Sequence, residues 1–484
     1  MSFRPWVVVE PPDSRGLRRV TVGGERAGSA WSLRELRRVL SRLGLPEDMD
    51  LEDPATVRWN GGDSGTWPDR PWRRRSVVAL MTAGLLVSMV YNVLIGWPDA
   101  SGALTFAQRI TGVLFVLSGV VVGVAAIAAA DYWGRRQFRV SGAITLLGVV
   151  IVLATDGLLL SLWLEEREYT GHLLVHLPGL CWSLWALFLL LRDKSWKGIP
   201  QPRTFAAGVV ATALLTAVSL AYSTMYQPAA APMHFALKAE FGKAWEDRNL
   251  PYVHVPLTLH MKNTGGIPVY IINDIYTVRG RIAAYSRGEE DLVAEWQDSV
   301  ERRGAREGEA ELYVDQLEYT TISSGRFYDL GNSLDVGQEY TQQRVFQLPK
   351  DAGYDTVSVE LQIAYMRKDR GKLDVAAFRT PHRSWSAHEK TYHCEPYICG
   401  AQLIHRGRVR HNNNLINVTR RPRYVTAVWS PGGDFISSIS SVPFNFFGLG
   451  DYGEERRELE RYGAARARAD TEVSLAELLE SAGT

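Results

Sequence analysis

Three ionisable side chains stand inside long apolar runs: Arg109, Asp156 and His176. A charge placed in hydrocarbon is costly alone, so such groups mark ion pairs, proton relays or ligand paths. At 1.5 Å per residue they lie roughly 8 Å (Arg109), 12 Å (Asp156) and 6 Å (His176) from one end of their runs. All three then share one half of the layer, and Arg109 is expected to pair with Asp156, with His176 nearby. Two roles fit such an intramembrane polar cluster: an ion pair that fixes helix register, or a path for protons or a small ligand.

The second chemistry-bearing stretch is 382–411, which holds five of the ten histidines, His382, His388, His393, His405 and His411, around Cys394 and Cys399. His388, His393, Cys394 and Cys399 are weak metal candidates. The spacing of His388 and His393 is one longer than in HExxH, so the two imidazoles would not share a helix face. Cys394 and Cys399 are not a CxxC pair, and outside the cytoplasm a local disulfide is the simplest reading. Free thiols and metal ligation are the other two. The remaining histidines read as surface residues. No GxSxG elbow, P-loop or paired-carboxylate pattern is present. In VWSPGGDF, Ser430, Gly432 and Gly433 read as a hairpin turn and not a nucleophile site. The chain is therefore expected to catalyse nothing and to hold no cofactor.

The elements that must position these groups are unusual in their hydropathy. Over 484 residues the hydrophobic content is 46% and mean hydropathy −0.12. Those values suit a soluble protein, so the apolar residues must be concentrated. They fall in five runs, 76–97, 104–130, 140–164, 172–191 and 204–225, each near the ~20 residues that cross ~30 Å of hydrocarbon. The reading is a multi-pass α-helical membrane protein with five transmembrane helices in a lipid bilayer. The first run, at 76, lacks the form of a cleaved signal peptide and reads as an uncleaved anchor. Eleven Lys and Arg residues lie before the first run and in loops 131–139 and 192–203, against Arg167 alone in the alternate loops. That bias puts the N-terminus in the cytoplasm and the residues after 225 outside. Gly119 and Gly123 form a GxxxG, and Ala213, Ala217 and Ala221 a weaker small-residue stripe. Both suit packing within the chain or a homo-oligomer seam. Five spans without an internal repeat cannot make the two equal halves common in transporters.

Residues 1–75 read as a small cytoplasmic α+β module of ββαβ type. Its helix carries a capping box, Ser32 with Glu35, and an apolar stripe of Leu33, Leu36, Val39, Leu40 and Leu43. Residues 226–450 read as an extracytoplasmic β-rich domain, with HVPLTLHMKNTGGIPVYIINDIYTVRG as two alternating strands about a turn at 263–266. Its strand pattern resembles an immunoglobulin-like sandwich, an analogy of fold that implies no function. Residues 451–484 read as a polar helical tail, with a second capping box at Ser474 and Glu477.

Net charge is +1, which excludes a strong global field for nucleic acid. The dominance of Arg over Lys, with abundant Ala and Gly, points to a GC-rich bacterial genome and hence a bacterial plasma membrane. The functional expectation is ligand or partner binding, sensing or scaffolding through the outer domain, by a protein or envelope ligand. The alternatives are a transporter or channel component using Arg109, Asp156 and His176, and a metal-dependent envelope enzyme.

Overall fold

The computed structural model describes residues 6–483 except 14–15, 47, 66, 68–70, 104–105, 136–137, 139, 194, 196–217, 219–232, 247–248, 286–290, 304–313, 432–434, 443 and 445–451. It divides into two units, Met1–Leu220 with Val418–Arg420, and Ala221–Asn417 with Arg421–Thr484.

The first unit opens with β1 (Val7–Pro12), β2 (Arg18–Val22), β3 (Glu25–Ala30), α1 (Leu33–Arg42) and β4 (Val57–Trp59), in the sheet order β3-β2-β1-β4. β1 and β4 are parallel, the other pairs antiparallel. The polar stretch Glu25–Ala30 is a strand that its composition hides. Gly23 and Gly24, at φ +62° and +90°, close a two-residue hairpin that lays it on β2. Ser32 caps α1, its Oγ accepting from Glu35 N–H at 3.3 Å, while Glu35 Oε2 accepts from Trp31 N–H at 3.3 Å. The apolar face of α1 then buries Leu36 and Leu40 on Val7, Val9 and Val20.

Four helices follow: α2 (Pro71–Gly102), α3 (Phe106–Ala130), α4 (Ser141–Glu166) and α5 (Leu173–Arg192). All four are long and apolar enough to cross a membrane. The shortest rises about 30 Å at 1.5 Å per residue. The fifth run, 204–225, and the Ala213, Ala217, Ala221 stripe lie outside the described residues except for Val218. Small residues set the helix contacts. A Cβ on Gly119 would stand 2.8 Å from Val93 Cγ2 and 3.1 Å from Met89 O, and one on Gly123 2.7 Å from Met89 Sδ. The GxxxG of α3 is thus filled by α2 of the same chain, the first of the two roles open to it.

The second unit is β-rich. In chain order it contains β5 (Phe235–Phe241), β6 (Trp245–Glu246), β7 (Tyr252–Asn263), β8 (Val269–Tyr285), α6 (Leu292–Arg303), β9 (Val314–Gly325), β10 (Ser333–Leu334), β11 (Glu339–Pro349) and β12 (Thr356–Arg367). Then come β13 (Gly371–Leu373), α7 (Val375–Arg379), β14 (Pro381–Arg383), α8 (Pro396–Cys399), β15 (Leu403–His411), α9 (Asn414–Thr419), β16 (Arg423–Trp429) and β17 (Phe435–Ser440). The last are α10 (Tyr452–Tyr462), β18 (Ala465–Ser474) and α11 (Leu475–Gly483). Three antiparallel sheets result: β10-β8-β12-β18 with β9 beside β8, β11-β7-β5 with β6 beside β7, and β13-β15-β16-β17 with β14 beside β15. The β8–β12 sheet lies between the other two. One core joins Val269, Ile271, Val359 and Leu361 to Val255, Leu257 and Leu259 of β7. A second joins Tyr270, Ile272 and Met366 to Val409, Val425 and Ile439.

Two readings are corrected here. β7 and β8 do not pair; the corner at 263–268 carries the chain from one sheet to another. Buried Asn263 holds that corner, its Nδ2 donating to Ile267 O at 2.9 Å and Leu334 O at 3.1 Å. The tail is not wholly helical either. Ala465–Ser474 pairs along β12 from Tyr365 to Thr356, because its alternating Ala467, Ala469 and Val473 give it one small apolar face. Ser474 caps α11, as its Oγ accepts from Glu477 N–H at 3.2 Å.

Candidate functional site

β8 is buried on both faces, so a polar pair in its middle has no water to turn to. Asn273 and Asp274 are both fully buried. A bulge at this point lets Ala364 pair with Asn273 and Tyr365 with Ile271, leaving Ile272 over. Asn273 reaches into the third sheet, its Nδ2 donating to Val428 O at 3.1 Å and Ile436 O at 3.2 Å. Asp274 turns to the segment after β9. Its Oδ2 accepts from Phe327 N–H at 2.7 Å and Tyr328 N–H at 3.0 Å, and its Oδ1 lies 3.6 Å from Arg326 Nε.

That anchor builds a cleft of about 520 Å³ lined by Arg326, Phe327, Tyr328, Asp329, Leu330, Tyr340, Gln342, Arg344, Arg379 and His405. The volume suits a small ligand. Arg326 forms its inner wall and donates from Nη1 to His405 Nε2 at 2.9 Å, while His405 Nδ1 donates to Phe378 O at 3.0 Å. These bonds assign His405 the neutral Nδ1–H tautomer. Its acidity agrees: burial, then the neighbouring Arg326 charge, hold its pKa down to about 4. Burial also lowers Arg326 and raises Asp274, the latter against the pull of Arg326 and two backbone N–H groups. Arg344 and Arg379 are exposed at the rim. Arg344 Nη2 donates to Arg326 O at 3.2 Å, and Arg379 Nε to Leu330 O at 3.3 Å. Tyr328 and Tyr340 meet edge to face, centroids 4.9 Å apart. The cleft thus combines three guanidinium groups, one exposed carboxylate (Asp329) and an aromatic wall.

Of the three intramembrane residues, the structure brings two together. His176 Nδ1 lies 3.0 Å from Asp156 Oδ1, and both side chains are buried. Arg109 does not pair with Asp156. It stands in the first turn of α3, and its Nε donates to Ala103 O at 2.8 Å in the connection from α2. His176 faces Asp156 directly from α5, so the acid finds its partner there. Cys394 and Cys399 are joined as a disulfide with Cα atoms 6.2 Å apart, which removes both thiols from ligation. His393 Nε2 lies 3.8 Å from Glu395 Oε1, and His388 is exposed. Among the described residues no three His, Cys, Asp or Glu side chains converge on a metal position. His405 is not a surface residue, being 4% exposed. Ser430 follows β16, which pairs antiparallel with β17, and Gly432 and Gly433 lie outside the described residues.

The residues that build the cleft match no motif, because arginines scattered over 326–379 share no spacing. One signal was available. Asn273 and Asp274 interrupt the apolar run Tyr270–Ile275, and a buried polar pair requires partners.

Comparison with known proteins adds little. No family model and no curated protein matches the chain. Two solved structures align: the ApaA protein from Bordetella pertussis, at 10% identity over 29% of this chain and 82% of that one, TM-score 0.16, and Spo0M, a sporulation control protein from Bacillus subtilis, at 12% identity over 51% of this chain and 93% of that one, TM-score 0.17. Likeness at these TM-scores carries no argument.

Proposed function

We propose that this chain is a non-enzymatic binding protein of a bacterial plasma membrane. Five spans hold it in the bilayer, with the N-terminal module in the cytoplasm and the β-rich, immunoglobulin-like region outside. The β-rich region recognises an anionic ligand, a carboxylate or phosphate on a small molecule or envelope polymer, in the cleft of Arg326, Arg344 and Arg379. The observation that carries this reading is the convergence of three guanidinium groups on one cleft against a single exposed acid. An arginine fork matches carboxylate and phosphate oxygens two at a time, which a lysine cannot do. Tyr328 and Tyr340 supply the apolar wall that orients the rest of a ligand.

The test is a thermal-shift panel on the detergent-solubilised full chain with phosphate, citrate, short acidic peptides and neutral sugars. Anions should raise the unfolding temperature in proportion to occupancy, and Arg344→Ala/Arg379→Ala should abolish the rise. An equal response to neutral sugars, or one insensitive to those arginines, contradicts the proposal.

A further inference from the structure

We propose that Asp156 and His176 form a proton-binding site inside the helix bundle, reached from the α4–α5 connection through His172 and Tyr91. The proposal is independent of the anion cleft. It starts from hydrogen-bond accounting. Asp156 is 8% and His176 7% exposed, and their 3.0 Å contact uses Oδ1 and Nδ1. Asp156 Oδ2 and His176 Nε2 are buried and have no hydrogen-bond partner among the described residues. With the proton of the shared bond on Nδ1, both leftover atoms are acceptors. Two buried lone pairs without a donor are what a proton satisfies. Unprotonated, the pair carries net charge −1; one added proton makes it neutral, as imidazolium with carboxylate or imidazole with carboxylic acid.

The surroundings leave room and a way in. At Gly179, one turn beyond His176, an added Cβ would stand 3.2 Å from Asp156 Oδ2. The Tyr91 ring of α2 meets His176 edge to face at 4.6 Å, and Trp163 covers it at 5.2 Å. The Tyr91 hydroxyl lies 2.6 Å from Nδ1 of His172, which is exposed. α5 begins at Leu173, so His176 stands in its first turn, close to this entry. The other titratable or charged groups at this end are Asp99 on α2, Arg109 on α3, Glu165, Glu166 and Arg167 at the end of α4, Glu168 and Tyr169 in the α4–α5 connection, and Arg420, which pairs with Glu166. Arg109 is committed to Ala103 O, and Asp99 and Glu166 have partners of their own.

The test is infrared difference spectroscopy of the full chain in lipid nanodiscs, stepped between about pH 8 and 5, the range where an imidazole changes charge. Beyond the change that the exposed histidines give in every variant, wild type should show one further reversible carboxyl or imidazole change. Asp156→Asn should lose it, and His176→Gln should lose or shift it. Arg109→Gln should keep it. Tyr91→Phe keeps the ring and should slow the change without reducing its amplitude. A wild-type protein with no such change overturns the proposal, and so does a change that persists in both Asp156→Asn and His176→Gln. A change that follows sodium concentration at fixed pH also overturns it. Asp156→Asn and His176→Gln each serve as the reference for the other where one fails to fold.

Discussion

Asp274 and Asp156 are both buried carboxylates, one in each unit, and they are held in opposite ways. Asp274 accepts two backbone N–H groups and faces Arg326. It shapes the segment that becomes the cleft wall, and its charge is matched on the spot. Among the described residues Asp156 has a histidine as its partner, through one oxygen, and its other oxygen has none. A buried acid tied to donors that never move specifies a fold. A buried acid beside a titratable group with a spare lone pair holds a choice of two charges. The difference lies in partner chemistry, since both side chains are buried.

The comparison breaks most visibly at Asp274. Asp274→Ala strands Arg326 and two backbone donors, which should destabilise the β-rich unit by about 3–5 kcal/mol. Thermal unfolding of the full chain, followed by near-ultraviolet circular dichroism, measures it. The next effect comes from His405, whose folded pKa of about 4 lies below its ordinary 6.5. Between those values the unfolded chain binds the extra proton, so stability is fully present above about pH 6.5 and falls as pH drops towards 4. The loss should reach about 3 kcal/mol, at 1.36 kcal/mol per pH unit. His405→Gln should flatten that slope in pH-dependent unfolding.

In the helices, Gly119→Leu forces a side chain into Met89 and Val93 of the same chain. A cost of about 1–3 kcal/mol is expected, with the oligomeric state on size-exclusion light scattering unchanged. The smallest effect is expected at Asp156→Asn, within about 1 kcal/mol. Asn keeps an acceptor for His176 Nδ1–H, and half of the site's capacity is already unmet. A loss as large as that of Asp274→Ala would erase the distinction between the two acids.

How much of this was legible in the residues follows from what each signal depends on. Helices α2 to α5 declare themselves because spanning apolar runs need no partner to be recognised. The capping boxes at Ser32 and Ser474 are equally local, as is the disulfide of two neighbouring cysteines. Azimuth is not local. Depth along a helix put Arg109 near Asp156, but only packing shows that α5 presents His176 to the acid while Arg109 reaches back to Ala103. β18 hid because Arg466, Arg468, Asp470 and Glu472 dominate its composition, while the alternate Ala467, Ala469 and Val473 that fix it to β12 are small. The cleft was least legible, for its arginines meet only after β9, β11 and α7 come together. Its foundation, Asn273 and Asp274 amid isoleucines, stood in plain view.

Calorimetric titration asks most directly whether the arginine cleft holds an anion. Citrate is titrated at low salt into the detergent-solubilised full chain and into Arg344→Ala/Arg379→Ala. The prediction is saturable binding to wild type, weakened at least about tenfold in the variant, the equivalent of about 1.4 kcal/mol. Equal affinities for the two proteins, or no heat with either, would contradict it.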